Sequence, residues 1–105
     1  MYKNIIDLLD AIKERPGMFI GTRSITRLSS FLHGIRIAFR IVNQSFGCSV
    51  LNDFEEYIEI KYSSKRSVSW NEIFLESTDN DEVKAFELFF YEFEIFMQER
   101  GVAKG

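Results

Sequence analysis

The sequence is poor in the residues that mark a chemical centre or a covalent staple. Its 105 residues include one cysteine, one histidine, one proline and one tryptophan. Cys48 alone cannot form an intramolecular disulfide. His33 and Cys48 together fall short of the roughly four ligands of a zinc site, so no metal or cofactor is expected. No apolar run approaches the ~18 residues of a membrane span. Met1-Tyr2-Lys3-Asn4 leads straight into an amphipathic pattern with no secretory core segment, so the cytoplasm is the expected compartment. A basic excess is missing too: the net charge is −3, which disfavours a direct nucleic-acid binder. There is no internal repeat, linker or low-complexity stretch.

Apolar and aromatic residues are plentiful. The chain is 46% hydrophobic and 15% aromatic, with 11 phenylalanines, which excludes disorder and requires a sizeable core. Its length suits one domain, residues 1–105, with no need of disulfides or metal.

The periodicity predicts an all-α fold, a single compact bundle of about five helices with a Phe-rich C-terminal helix. Ile5, Leu8, Leu9 and Ile12 fall on one helical face, with Asn4 as its cap. Pro16 pushes Arg15 out of helical geometry and ends that helix. Pro16-Gly17 fits the centre of a type II turn, with Met18, Phe19 and Ile20 folded back as an apolar plug. A tight connector is favoured here over a ligand-binding loop.

Ser24 caps a long second segment reaching toward Phe46, with Leu28, Phe31, Leu32, Ile35, Phe39 and Val42 on its apolar side. Gly34 lies inside this pattern and predicts a close approach by another helix. Arg27, Arg36 and Arg40 form a solvated basic face, and Gly47 suits the residue just past a helix end.

Asn52 and Glu55 read as a capping box opening a helix through Lys61. Ile58, Ile60 and Tyr62 also alternate as in a strand, but the cap and the lack of a partner strand favour the helix. Ser63 to Val68 reads as a loop carrying Lys65 and Arg66. Ser69-Trp70-Asn71-Glu72 is a second capping box, before a short face of Trp70, Ile73, Phe74 and Ser77. Thr78 to Glu82 is a turn with an acidic cluster suited to a helix N-terminus. Val83, Phe86, Phe89, Phe90, Phe93, Phe96 and Met97 then recur at helical spacing up to Gly101, and Val102 to Gly105 read as a frayed tail.

Several of these stretches carry a resemblance. Glu14-Arg15-Pro16-Gly17-Met18-Phe19-Ile20-Gly21, then Ser24-Ile25-Thr26-Arg27-Leu28 and Phe31-Leu32-His33-Gly34, resemble a family of small bacterial proteins with an "RPGMYIG" turn. The likeness continues through Tyr57-Ile58-Glu59-Ile60-Lys61-Tyr62, Ser67 to Leu75 and Glu82 to Phe90, and so covers most of the chain. Some members resemble immunity proteins encoded beside contact-dependent growth-inhibition or polymorphic toxins. The resemblance implies a non-enzymatic inhibitor that binds one cognate toxin domain as a one-to-one heterodimer. The octapeptide also resembles the opening of gyrase B-type ATPase domains. Phe39 to Gln44 offers no carboxylate for Mg²⁺ and no glycine-rich phosphate cradle follows, so a shared local turn is the better reading. The alternative function is a small cytosolic regulatory or ligand-binding domain sharing only that turn.

His33 reads as a satisfied or partly exposed helix histidine, and Cys48 as a small buried apolar residue. Two acidic groups are candidate partner-binding residues: Asp53, Glu55, Glu56 and Glu59 on the third segment, and Asp79, Asp81 and Glu82 before the last helix. Capping and solubility explain such carboxylates in the ordinary case. A nuclease, the expected toxin class with an RNase favoured over a DNase, has a positive cleft that carboxylates could fill. Trp70, with Tyr57 and Tyr62, is the candidate aromatic anchor, with a core role as its competing reading.

Overall fold

The computed structural model describes residues 2–42, 44, 46–62 and 69–100. Among them are six helices and no strand: α1 (Ile5–Glu14), α2 (Pro16–Phe19), α3 (Ile25–Ile41), α4 (Ser49–Lys61), α5 (Trp70–Ser77) and α6 (Glu82–Glu99). The all-α expectation holds, and residues 57–61 are helical. Asn43, the Lys65/Arg66 loop, the stop at Gly101 and the tail after it lie outside the described residues.

The sixth helix comes from the proline. Arg15 leaves helical geometry as expected (φ −133°, ψ 63°). Pro16-Gly17, however, opens the short helix α2 instead of forming a type II turn. Pro is well suited to a first helical position, where its missing N–H and fixed φ are no handicap. The sharp bend falls later, at Gly21, where φ is +86°. The Arg27 guanidinium sits over Gly21 and donates to the Ile20 carbonyl at 3.1 Å, so Arg27, though exposed, also braces this connector. Of the expected plug only Ile20 is buried. Phe19 is half-buried between Tyr2 and Phe31, and Met18 is 69% exposed.

α3 stops at Ile41, short of Phe46. Beyond it the chain folds back, and the Phe46 ring stacks on Phe39 at 4.5 Å. That return needs left-handed backbone at Phe46 and Gly47 (φ 48° and 76°). Gly47 is therefore a turn residue leading into α4, not the cap of α3. Val42 is 58% exposed and leaves the apolar side of the helix. Gly34 is exposed, and among the described residues no atom outside its own helix turn lies within 4 Å of where a Cβ would stand, so no described helix approaches it.

α4 begins four residues earlier than expected, with Ser49 after the cap residue Cys48. Asn52 and Glu55 form no capping box: both accept from the Arg36 guanidinium of α3. Arg36 is thus tied across a helix pair, and only Arg40 of the three arginines stays unpaired among the described residues. Ser69 does precede α5, yet its hydroxyl makes no cap bond to the backbone and lies 3.5 Å from Glu72 Oε1.

α6 is the central packing element. Phe86, Phe89, Phe90, Phe93, Phe96 and Met97 are buried, as expected. Val83 is 42% exposed and drops out of the stripe, whereas Ala85 and Glu92 belong to it. α3, α4 and α5 all pack on α6. Phe54 of α4 stands within 5.2–5.3 Å of Phe89, Phe93 and Phe96. Burying one such ring stabilises the fold by roughly 1.5–3 kcal/mol, so this aromatic nest holds α4 to α6.

Candidate partner-binding surfaces

The acidic residues singled out in the sequence divide by what they touch. Before α6, Asp81 caps the helix by accepting from the Lys84 amide at 2.9 Å. Glu82 reaches across to α3. It accepts from Ser24 Oγ (2.8 Å), the Thr26 amide (2.9 Å) and Thr26 Oγ1 (2.7 Å). These bonds, the Thr26 amide foremost, hold the Glu82 carboxyl below its ordinary pKa. Asp79 occupies the tight turn with φ 55°, a conformation Asp tolerates better than most residues. This group is structural in its contacts.

On α4 the picture is mixed. Glu55 pairs with Arg36, and Asp53 accepts from Arg100 Nη1 of the α6 end at 2.7 Å. Glu56 and Glu59 are exposed and make no hydrogen bond or ion pair to any described residue. Glu56 lies one turn before Ile60 and Glu59 directly before it. Ile60 is itself 71% exposed. Beside them runs a shallow groove of about 320 Å³ between α4 and α6, lined by Tyr57, Ile60, Lys61, Ile95 and Glu99.

The aromatic candidates are largely committed inward. Trp70 is 7% exposed and packs on Phe89 at 5.0 Å and Phe74 at 6.1 Å, so the core reading holds for most of its surface. Tyr57 donates to Glu99 Oε2 at 2.6 Å. Tyr62 donates to Glu92 Oε2 at 2.5 Å, which with burial raises its phenol well above the ordinary range.

Glu92 escaped the sequence reading. It is 3% exposed and also accepts from Lys61 Nζ at 2.7 Å. That bond raises the Lys61 ammonium above its ordinary pKa. The signal was available: Glu92 sits three residues after Phe89 and four before Phe96, on the apolar face. The Arg36–Glu55 pair had no such signal, since its members lie on separate helices.

A second, more enclosed cleft of about 400 Å³ opens between α3, α4 and α5. Phe54, Phe89 and Trp70 contribute apolar wall, and His33, Arg36, Glu55 and Asn71 polar wall. His33 is exposed at its mouth, within the earlier reading. Cys48 is half-buried, and burial, opposed in part by Arg36, holds its thiol above the ordinary pKa, which favours the protonated form. No cluster of three or more His, Cys, Asp or Glu able to hold a metal ion occurs among the described residues, and no described helix is long and apolar enough to cross a membrane.

Comparison with protein-family models, curated proteins and solved structures returned no match for this chain.

Proposed function

We propose that this chain is an immunity protein that acts in the cytoplasm. It binds one cognate toxin domain, a nuclease and more readily an RNase than a DNase, in a one-to-one complex. It blocks the active site by occlusion and charge complementarity, without catalysis. The observation that carries this reading is the outer face of α4, where Glu56 and Glu59, without partners among the described residues, flank exposed Ile60 beside the α4–α6 groove. Carboxylates without internal partners are free to meet the positive cleft of a nuclease, and the apolar centre supplies area removed from water. The resemblance of the chain to immunity proteins points the same way.

The test is co-expression with the toxin domain encoded beside this chain, followed by co-purification and a nuclease assay. A one-to-one complex with lost nuclease activity is expected. Absence of a complex, with the toxin active in excess of this protein, overturns the reading. The α3–α4–α5 cleft favours a second reading, a small regulatory ligand-binding domain, since its size suits a small molecule. Stabilisation of the isolated chain by a metabolite that fills this cleft would favour that alternative.

A further inference from the structure

α3 is amphipathic twice over. Its inner face buries Ile25, Leu28 and Leu32. Its outer face, Ser30, His33, Gly34, Ile37, Arg40 and Ile41, is exposed throughout. Ile37 is 39% and Ile41 77% exposed, and the two stand one turn apart at the centre of this face. Burying both would remove from water the kind of apolar area that anchors helix-in-groove complexes.

Gly34 gives the face its shape. An exposed glycine in the middle of a helix destabilises it relative to alanine. Among the described residues no contact compensates, because no atom outside the local helix turn lies within 4 Å of the missing Cβ. The dent beside Ile37 and Ile41 leaves room for the close approach of another helix, and no described helix of this chain makes that approach.

Charge selects the visitor. α3 holds no carboxylate: its ionisable residues are Arg27, His33, Arg36 and Arg40. Arg27 and Arg36 are held internally by Ile20 and by Glu55 with Asn52. Arg40 has no ion-pair partner among the described residues, and it borders Ile37 and Ile41. In a protein of net charge −3 this is a local patch of the opposite sign.

We propose that the outer face of α3 is a docking site for an amphipathic helix of a partner protein, with an apolar stripe over Ile37 and Ile41 and acidic residues along its rim. A second copy of this chain fits poorly. Two α3 helices packed face to face would bring basic edges together with no carboxylate between them. The acidic outer face of α4 exposes one isoleucine, too little to cover Ile37 and Ile41, and a head-to-tail contact of α3 on α4 would not close. This surface is separate from the α4–α6 groove, so the inference does not rest on the immunity reading.

The experiment is a selection from a displayed library of random helical peptides of about 20 residues against the full-length chain, with Kd measured by fluorescence anisotropy. The expected winners carry apolar residues at helical spacing flanked by Asp or Glu. Ile41→Glu and Ile37→Glu should each weaken their binding about ten-fold or more, and Arg40→Glu should weaken it and reduce its salt dependence. Ile41 is 77% exposed, so Ile41→Glu should leave the fold intact, and a melting curve of each variant checks this. Gly34→Leu is the sharpest variant: it should raise the melting temperature and yet weaken peptide binding, because it fills the dent. Loss of toxin binding in the same variants is not expected. The proposal is overturned if no peptide is selected, if the winners are basic, or if their binding ignores Ile37, Ile41 and Gly34. It is overturned equally if sedimentation shows self-association that Ile41→Glu dissolves, since the occupant is then a second copy.

Discussion

The acidic residues before α6 and those on the outer face of α4 look alike in sequence and differ in use. Asp81 and Glu82 are consumed by the fold: one caps α6, the other staples α6 to the start of α3 with three hydrogen bonds. Glu56 and Glu59 hold nothing inside the described molecule. The difference teaches that carboxylate density does not tell carboxylates held by the fold from those left open. Of the eight candidate residues, Glu56 and Glu59 are left open, and both lie on the α4 face proposed above as the interface. Trp70, Asp79, Asp81 and Glu82 serve the core, the turn and the cap, while Glu55 and Asp53 are held by arginines.

Four substitutions test this contrast, from the largest effect on stability to none. Phe54→Ala removes the ring that joins α4 to α6, where three α6 phenylalanines meet it. It should lower unfolding free energy by about 3–5 kcal/mol in a denaturant titration, and would erase the α4 face as a surface. Next, Glu92→Leu should cost about 1–3 kcal/mol, because the Tyr62 hydroxyl and Lys61 lose their buried acceptor. A loss below ~0.5 kcal/mol would show that Leu packing offsets the lost bonds.

Glu82→Gln should cost about 1–2 kcal/mol at neutral pH. Its pH dependence carries the sign. The folded carboxyl has a pKa below its ordinary 4.5, so its contribution is present above 4.5 and disappears as pH falls through the lower folded value. Wild type should therefore lose stability more steeply than Glu82→Gln on acidification below 4.5. Parallel curves would mean that the staple to Ser24 and Thr26 does not distinguish the ionised carboxylate.

The double change Glu56→Lys with Glu59→Lys is the smallest in stability and the largest in function. Unfolding free energy should move by no more than ~0.5 kcal/mol, while affinity for the toxin domain should fall about ten-fold or more. A destabilised double variant would break the comparison, since it would reveal internal work by these carboxylates. Unchanged toxin affinity would move the interface elsewhere.

Much of the fold was legible because helical periodicity is local. The stripes of α1 and α6 follow from residues three and four apart, and the caps at Asn4 and Ser24 sit where their side chains reach the first amides. The errors arose where one sequence signal had two local solutions. Pro16 serves as well at the start of a helix as in a turn, and Asn52 with Glu55 can cap a helix or hold an arginine. In both places a neighbour decided: Arg27 settled over Gly21, and Arg36 reached across from α3. The site was less legible than the fold for the same reason. Whether a carboxylate is free depends on which cation or amide the tertiary structure brings to it.

By itself, then, the sequence determined an all-α chain with an aromatic core centred on its last helix, since spacing and composition act within a few turns. Only the tertiary structure decided which charges are spent and which are open. Glu82 meets α3, 56 residues from Thr26 along the chain, and Glu92 meets Lys61 and Tyr62 at 31 and 30. Gly34, which the sequence suggested as a point of close approach by another helix, stands open among the described residues. Such pairings are set by how whole helices pack, because hydrophobic burial fixes the arrangement of the elements and the polar groups must then find partners wherever it leaves them.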